Sequence, residues 1–377
     1  MRICYLHLTR YPTRLANPVQ VMHMCAAMAE CGHDVALIVR ATERAEPGFE
    51  RSLHGQYGVA DSFGIHVIAH HPFLTRGHLQ HRQLKRLLRE LRPDLIYSRT
   101  TRFARLWSGA GIPYVYETHS MPSHNPRRGR TGTTLLSDNF RRLVVITRAL
   151  ASDFQSAFPE LPPDAIVVAP DAATPRVIRP AVENDRFRAG YVGHLYPGKG
   201  METIAEIAPR LPEVRFDIVG GTPEDLASWR QRTARIGNIR FEGYVPHREV
   251  GRHIAGFDLA LAPFSRRVKA QAREISRWFS PLKIFEYMAQ ARAIVASDLP
   301  VLRDVLEHGR NAWLVPPEDY EAWVDAVRRL HDDPALRERL GRTAFEDFEL
   351  HYTWTARADR VLKDLPRSTP VDGRSRS

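Results

Sequence analysis

The sequence predicts two doubly wound α/β domains, each a parallel sheet with helices on both faces, and three observations predict them. Short apolar runs alternate with helical stretches of about 10–15 residues, the rhythm of parallel strands joined by crossover helices. The alternation stops once, between Pro170 and Arg188, and then restarts. At 377 residues the chain is long for one core and comfortable for two.

In the first half, Arg2–Leu8 reads as a buried strand. Asn17 and Pro18 read as the N-cap and first-turn proline of a helix that runs to Glu30 and is closed by Gly32. Asp34–Val39, Ile65–Ala69, Asp94–Tyr97, Tyr114–Glu117, Leu143–Thr147 and Ala165–Ala169 read as further strands, with helices after Thr101 and Arg148. Pro170-Asp171-Ala172-Ala173-Thr174-Pro175 breaks the pattern, and the boundary is expected near residue 182. Strands are then expected at Ala189–Val192, Val214–Val219, Ile239–Tyr244, Leu259–Pro263, Ala293–Ser297 and Ala312–Val315. Helices should begin near Met201, Pro223, His247, Pro281, Pro300 and Glu318, and Arg266–Phe279 reads as a mobile loop. The division is thus residues 1–181 and 182–352. A C-terminal helix over about 353–366 should pack back on the first domain, followed by a disordered tail, 367–377.

Hydrophobic content of 43% and charged content of 26% are those of a globular protein. Three cysteines (Cys4, Cys25, Cys31) without a CxxC argue against a disulfide framework or a zinc site. The N-terminus reads as a strand, not a signal peptide, and no run of about 18 apolar residues could span a membrane. A cytoplasmic location follows as an expectation, at the cytoplasmic face of a membrane if the acceptor lies there. The net charge of +11 and pI near 9.8 call for a partner of opposite sign: nucleic acid, an anionic lipid surface or a phosphorylated substrate. The densest basic stretch, His78–Arg92, is amphipathic at helical spacing, with Leu84, Leu87, Leu88 and Leu91 on one side.

The stretch from Ser280 to Asp298 reads as a loop, a short helix and a buried strand. Pro281 suits a first helical position, and Ile284, Tyr287 and Met288 fall on one apolar face. Lys283 and Glu286, three apart, both lie near the helix start, where free N–H groups attract anions. A carboxylate one turn in suits hydroxyl donors, as on a ribose. Gly193-His-Leu-Tyr-Pro-Gly198-Lys199-Gly200 has the spacing of a phosphate-binding P-loop, but Gly200 stands where Ser or Thr should hold magnesium. No strand ending in Asp supplies a second magnesium ligand, so the pattern disfavours an ATPase. The first strand is not followed by GxGxxG, which disfavours a dehydrogenase. A glycine-loosened turn with one lysine remains, suited to a diphosphate bound without metal. Gly220-Gly221 allows close backbone approach to a ligand, and extended backbone at Tyr244–Val245 can present N–H and C=O groups to a flat heterocycle.

These segments resemble the C-terminal domain of GT-B glycosyltransferases, in particular the large retaining group called family four. The resemblance runs in order through Tyr191-Val-Gly-His-Leu-Tyr-Pro-Gly-Lys-Gly, Phe216-Asp-Ile-Val-Gly-Gly, Phe241-Glu-Gly-Tyr-Val and Ser280-Pro-Leu-Lys-Ile-Phe-Glu-Tyr-Met-Ala. It continues through Ala296-Ser-Asp-Leu-Pro, Asn311-Ala-Trp-Leu-Val-Pro-Pro and Tyr352-Thr-Trp-Thr. The first half is similar more faintly, at Cys31-Gly-His-Asp-Val and Tyr116-Glu-Thr-His119. The resemblance implies two Rossmann-like domains facing a cleft. It also implies transfer of a hexosyl-type sugar from a nucleotide-diphosphate sugar, a UDP-sugar or GDP-sugar, with retention. Lys199 would neutralise the diphosphate, Glu286 would hold the ribose, and Tyr244 and Val245 would meet the base. Gly193, His194, Gly220, Pro281, Leu282 and Lys283 would line the phosphate side, and His119 would approach the transferred sugar. No cofactor or metal is expected beyond the nucleotide-sugar co-substrate. The acceptor would be a hydroxyl, lipid-linked or on a glycan, as in bacterial-type glycan, glycolipid or natural-product glycosylation. An anionic membrane surface is a candidate partner, and nucleic acid is not expected.

The chain departs from the pattern in places. Relatives often carry a second glutamate, touching the sugar, eight residues before the ribose glutamate; Trp278 stands there, and Glu274 is the nearest acid. His194 replaces a frequent arginine, and Tyr11-Pro12 through Asn17-Pro18 replaces a Gly-Gly turn. Two other readings compete. A nucleotide-sugar epimerase on the same fold would need an acid/base pair, and His119 shows no clear partner carboxylate. A basic, non-enzymatic binding protein rests on charge alone.

Overall fold

The computed structural model describes all residues except 14–15, 42–47, 69–75, 104–105, 107–108, 123–124, 176–185, 271–272, 275 and 366–377. The boundary expected near residue 182, the tail from 367 and most of the helix expected after Thr101 lie outside the described residues. The chain divides into two compact units, residues 1–145, 150–169 and 358–377, and residues 146–149 with 170–357.

The first unit holds a seven-stranded sheet of β1 (Arg2–Tyr11), β2 (Asp34–Ala41), β3 (Gly64–Ile68), β4 (Leu95–Ser98), β5 (Tyr114–Thr118), β6 (Phe140–Val145) and β7 (Ile166–Val168). Their order is β3-β2-β1-β4-β5-β6-β7, and every pairing is parallel. Central strands of a parallel sheet are covered on both faces and so read as continuous apolar runs. Accordingly Ile3, Cys4, Tyr5 and Leu6 are all fully buried. The first helix spans Ala16–Glu30, so Asn17 and Pro18 lie inside its first turn and not at the cap. The basic helix spans Arg76–Leu91. Leu84 and Leu88 are buried, with Leu87 and Leu91 packed beside them, while Arg82, Lys85, Arg86 and Arg89 face solvent. Its leucines are therefore used inside the unit, and only its charge is offered outward.

The second unit is built on β8 (Phe187–Val192), β9 (Val214–Val219), β10 (Ile239–Gly243), β11 (Leu259–Ala262), then a two-stranded ribbon of β12 (Lys269–Ala270) and β13 (Arg273–Glu274), and finally β14 (Ala293–Ser297) and β15 (Trp313–Val315). The main sheet runs β10-β9-β8-β11-β14-β15, again all parallel. Successive side chains of one strand enter opposite cores: Leu259 and Leu261 join one, Ala260 and Ala262 the other. That alternation is the mark of a sheet wrapped on both faces. The segment read as a loop over Arg266–Phe279 contains the antiparallel β12–β13 pair. The helix expected at Pro300 is a run of turns, in which Leu299 accepts from both Leu302 and Arg303. Leu299, Val301 and Leu302 are buried there. The last helix, Trp354–Leu362, carries the chain from the second unit into the first. There Arg142 donates to the carbonyls of Val361 and Lys363 at 2.9 and 2.8 Å.

The helix Pro334–His351 lies so close to the start of β14 that a Cβ at Gly341 would stand 2.3 Å from the Ala291 carbonyl oxygen. Alanine is the better helix former by about 1 kcal/mol. Overpacking against fixed backbone costs about 1–3 kcal/mol. Gly341→Ala is therefore predicted to lower the thermal unfolding midpoint; a raised midpoint would contradict this packing.

Candidate functional site

The site of the second unit begins where three strands end. Past β8, the Gly193 N–H donates to Val219 at 2.9 Å; past β9, the Gly220 N–H donates to Gly243 at 2.7 Å. A Cβ on Gly220 would lie 2.2 Å from the Gly193 carbonyl oxygen, and its φ of +119° favours glycine as well. The close approach anticipated at Gly220 is thus, in the folded chain, that of a neighbouring turn. These bonds fasten the strand-end turns at Gly193, Gly220 and Gly243 to one another.

The two lysines converge on one ring. Lys199 places its ammonium 5.3 Å from the centroids of Tyr196 and Phe264 and 5.7 Å from Phe279. Lys283 is buried, with Nζ 3.5 Å from the Tyr191 centroid and 5.1 Å from Phe264. A Cβ on Gly193 would touch its Cε and Nζ at 3.2 Å. The Lys283 ammonium has no hydrogen-bond partner among the described residues. The two lysines that the sequence presents separately thus face the same ring. Burial pulls the Lys199 ammonium down to about 8. Burial holds Lys283 well below the usual lysine range, and the Lys199 charge pushes the same way while Glu286 opposes it. Aromatic faces compensate a desolvated cation only in part. An anion beside both ammonium groups would complete the compensation.

The helix Leu282–Met288 sets Lys283 in place. Its buried Tyr287 hydroxyl accepts from the Val192 N–H at 2.9 Å and donates to Leu261 at 3.2 Å, stitching the helix to β8 and β11. Ile284 and Met288 are buried with it, as their spacing requires. Pro281 is the N-cap, with extended backbone, and so stands one position before the helix, not at the first helical position for which its sequence context suits it. The reason is geometric, since ψ of 119° lies outside the helical range.

Glu286 accepts from His247 Nε2 at 2.8 Å and lines a depression with Leu282, Thr174, Val250 and Trp354. Sequence reasoning missed His247, which opens the helix His247–Ala255 directly after Tyr244-Val245-Pro246. Its signal was its place at a strand-to-helix turn beside residues already singled out. Tyr244 is about half exposed, while Val245 packs against the core. His194 is exposed, its ring 5.6 Å from Tyr196. Trp278 is half-buried next to the buried Phe279. Glu274 belongs to β13, and its side chain is outside the described residues.

In the first unit, His119 stands just past β5 and donates through Nε2 to Glu117 Oε1 at 2.8 Å. Glu117 is wholly buried, and it also accepts from Gln20 Nε2 at 2.8 Å and from the Tyr97 hydroxyl. This corrects the expectation that His119 lacks a partner carboxylate. Residues two apart on extended backbone project to one side, and Glu117 and His119 have that spacing.

The chain matches known proteins in sequence and in fold. Residues 186–333 match the family model described as glycosyl transferases group 1, and residues 18–175 match glycosyltransferase family 4. The chain is 28% identical over 184 residues to an alpha-D-kanosaminyltransferase of Streptomyces kanamyceticus, covering 47% of this chain and 45% of that one. It is 24% identical to a D-inositol 3-phosphate glycosyltransferase of Pseudarthrobacter chlorophenolicus, covering 86% and 84%. The chain thus spans under half of the first relative's length and most of the second's. The crystal structure of Anabaena HepE in complex with UDP shares the fold, with a TM-score of 0.70 at 16% identity over 96% of this chain and 99% of that one. Its second half matching group 1 and its first half family 4, the chain belongs to the GT-B glycosyltransferases of the family-four type.

Proposed function

We propose that this glycosyltransferase moves a hexosyl-type sugar from a nucleotide-diphosphate sugar to an acceptor hydroxyl, with retention and without metal. The observation that carries the reading is the pair of desolvated ammonium groups, Lys199 and Lys283, meeting over Phe264. In the transfer, the bond from the anomeric carbon to the diphosphate oxygen breaks and the bond to the acceptor oxygen forms. The acceptor's proton passes to the departing diphosphate. Negative charge grows on that leaving group, so fixed cations aimed at it stabilise the transition state more than the ground state. Glu286, held by His247 through one oxygen, keeps lone pairs for the ribose hydroxyls. Tyr244 and Val245 take the base; Gly193, His194, Gly220, Pro281 and Leu282 flank the diphosphate; His119 serves the transferred sugar. The complex of HepE with UDP supports a uridine donor, and the family-four likeness supports retention. The acceptor is a hydroxyl compound of glycan, glycolipid or natural-product type.

Titration of UDP and GDP by calorimetry tests the donor site. Lys199→Ala and Glu286→Ala are each predicted to weaken the preferred nucleotide by about 1.5–3 kcal/mol, the range for hydrogen bonds to charged groups. Binding as in the unaltered protein in both variants would overturn the reading.

The Lys199 shift adds a pH signature. With its free ammonium at about 8, Lys199 takes up no proton on binding below that pH. Above it, a proton must be taken up, and affinity falls toward tenfold per unit. Affinity for an intact nucleotide sugar should drop about tenfold from pH 7 to 9 in the unaltered protein, and less in Lys199→Arg, whose charge persists. Equal pH dependence in both would exclude Lys199 as the source.

A further inference from the structure

The first unit holds a charge network that none of the donor-site chemistry uses. Glu117, at 0% exposure, sits at the end of β5 and gathers donors from three other places in the unit. Gln20 reaches it from the first helix at 2.8 Å, the Tyr97 hydroxyl reaches it from β4, and Arg99, just past β4, brings Nε to 4.0 Å. Arg99 also donates to the Gln20 side-chain oxygen at 2.6 Å, so the amide that serves Glu117 is itself oriented. Donors on both oxygens and a guanidinium beside them are the surroundings that suit an ionised carboxylate. The contacts then lead outward. The Arg99 side chain is 10% exposed and the His119 ring 25%, so His119 is where the buried charge comes nearest to solvent.

An ionised carboxylate can only accept. The 2.8 Å contact therefore requires the proton on His119 Nε2. We propose that Glu117 is a positioning residue for His119: it fixes the ring and its tautomer, with the proton on Nε2. The inference rests on the reading that His119 serves the transferred sugar, and it adds how that ring is held. The logic is that of a buried acid orienting a working histidine, with the acid stabilising the imidazolium when it forms. Among the described residues, Arg99, His7 and Tyr97 are charged or titratable groups of this same network. Burial keeps His7 well below the usual histidine range, with Arg99 adding to the effect. Its Nδ1 is bound to the Tyr11 hydroxyl at 2.6 Å. His7 thus stays neutral.

The test is nitrogen-15 NMR of the histidine rings in the full chain, with the His119 signals identified as those missing from His119→Asn. The expected spectrum shows Nε2 protonated and Nδ1 bare at neutral pH. Glu117→Gln keeps the side chain's shape and an acceptor oxygen but removes the charge. In it the His119 titration should move to lower pH by about one unit, since loss of the negative partner disfavours the imidazolium. The acid limb of the kcat profile should move with it, while the KM for donor stays within about twofold. An Nδ1-protonated ring in the unaltered protein, or an unmoved titration in a folded Glu117→Gln, would overturn the proposal. The spectrum of the unaltered protein decides the first point even if the variant does not fold. Full kcat in His119→Asn would overturn the role of His119 and with it the catalytic meaning of the pairing, whatever the tautomer.

Discussion

The proposed donor site turns on one buried amine. Lys283 Nζ lies inside the second unit, over the face of Tyr191, with no hydrogen-bond partner among the described residues. Burying a cation without a counter-charge costs several kcal/mol even after relaxation. A surface lysine would avoid that cost by swinging into water. Here the helix Leu282–Met288 cannot turn, because the Tyr287 hydroxyl ties it to β8 and β11 and Ile284 and Met288 are sunk in the core. The fold therefore keeps a desolvated amine beside the Gly193 turn, held well below the usual lysine range by burial, and Lys199 adds a second over the same Phe264 ring. Preorganised charge of this kind needs no rearrangement when an anion arrives, which gives it value in a transition state.

The surroundings serve that charge. Gly193, Gly220 and Gly243 are linked turn to turn by backbone hydrogen bonds, so the strand ends form a fixed rim. Glu286, on the same short helix, is held in turn by His247. One seven-residue helix thus presents a cation and a carboxylate three residues apart, toward Gly193 and toward His247. A nucleotide diphosphate has the matching sequence of groups, phosphate and then ribose hydroxyls. The first unit is organised differently, around the wholly buried Glu117 and the ring of His119.

Much of the fold was legible in the residues. Both parallel sheets follow from β-length apolar runs between helices, and the buried face of the Leu282–Met288 helix follows from Ile284, Tyr287 and Met288. Lys199, Lys283 and Glu286 stood out because each lies at a strand-to-helix turn. What was not legible depended on distance in three dimensions. Lys199 and Lys283 are 84 positions apart in the chain, and nothing local says that both reach Phe264. His247 and Glu286 are 39 apart. Glu117 could have been paired with His119 from their spacing, yet a glutamate in an apolar strand reads as an edge residue until Gln20, Tyr97 and Arg99 are seen around it. Pro281 and Pro300 show the limit of proline as a start signal, one marking a cap and the other only turns.

Lys283, buried and without a hydrogen-bond partner among the described residues, is the group whose replacement is most telling. Lys283→Met retains the length of the stem and removes the charge. If the account holds, the nucleotide-free variant unfolds at a higher temperature than the unaltered protein, because a desolvation penalty is gone, and UDP or GDP no longer raises its melting point. A variant that melts lower than the unaltered protein and is still stabilised by nucleotide to the same extent would contradict it.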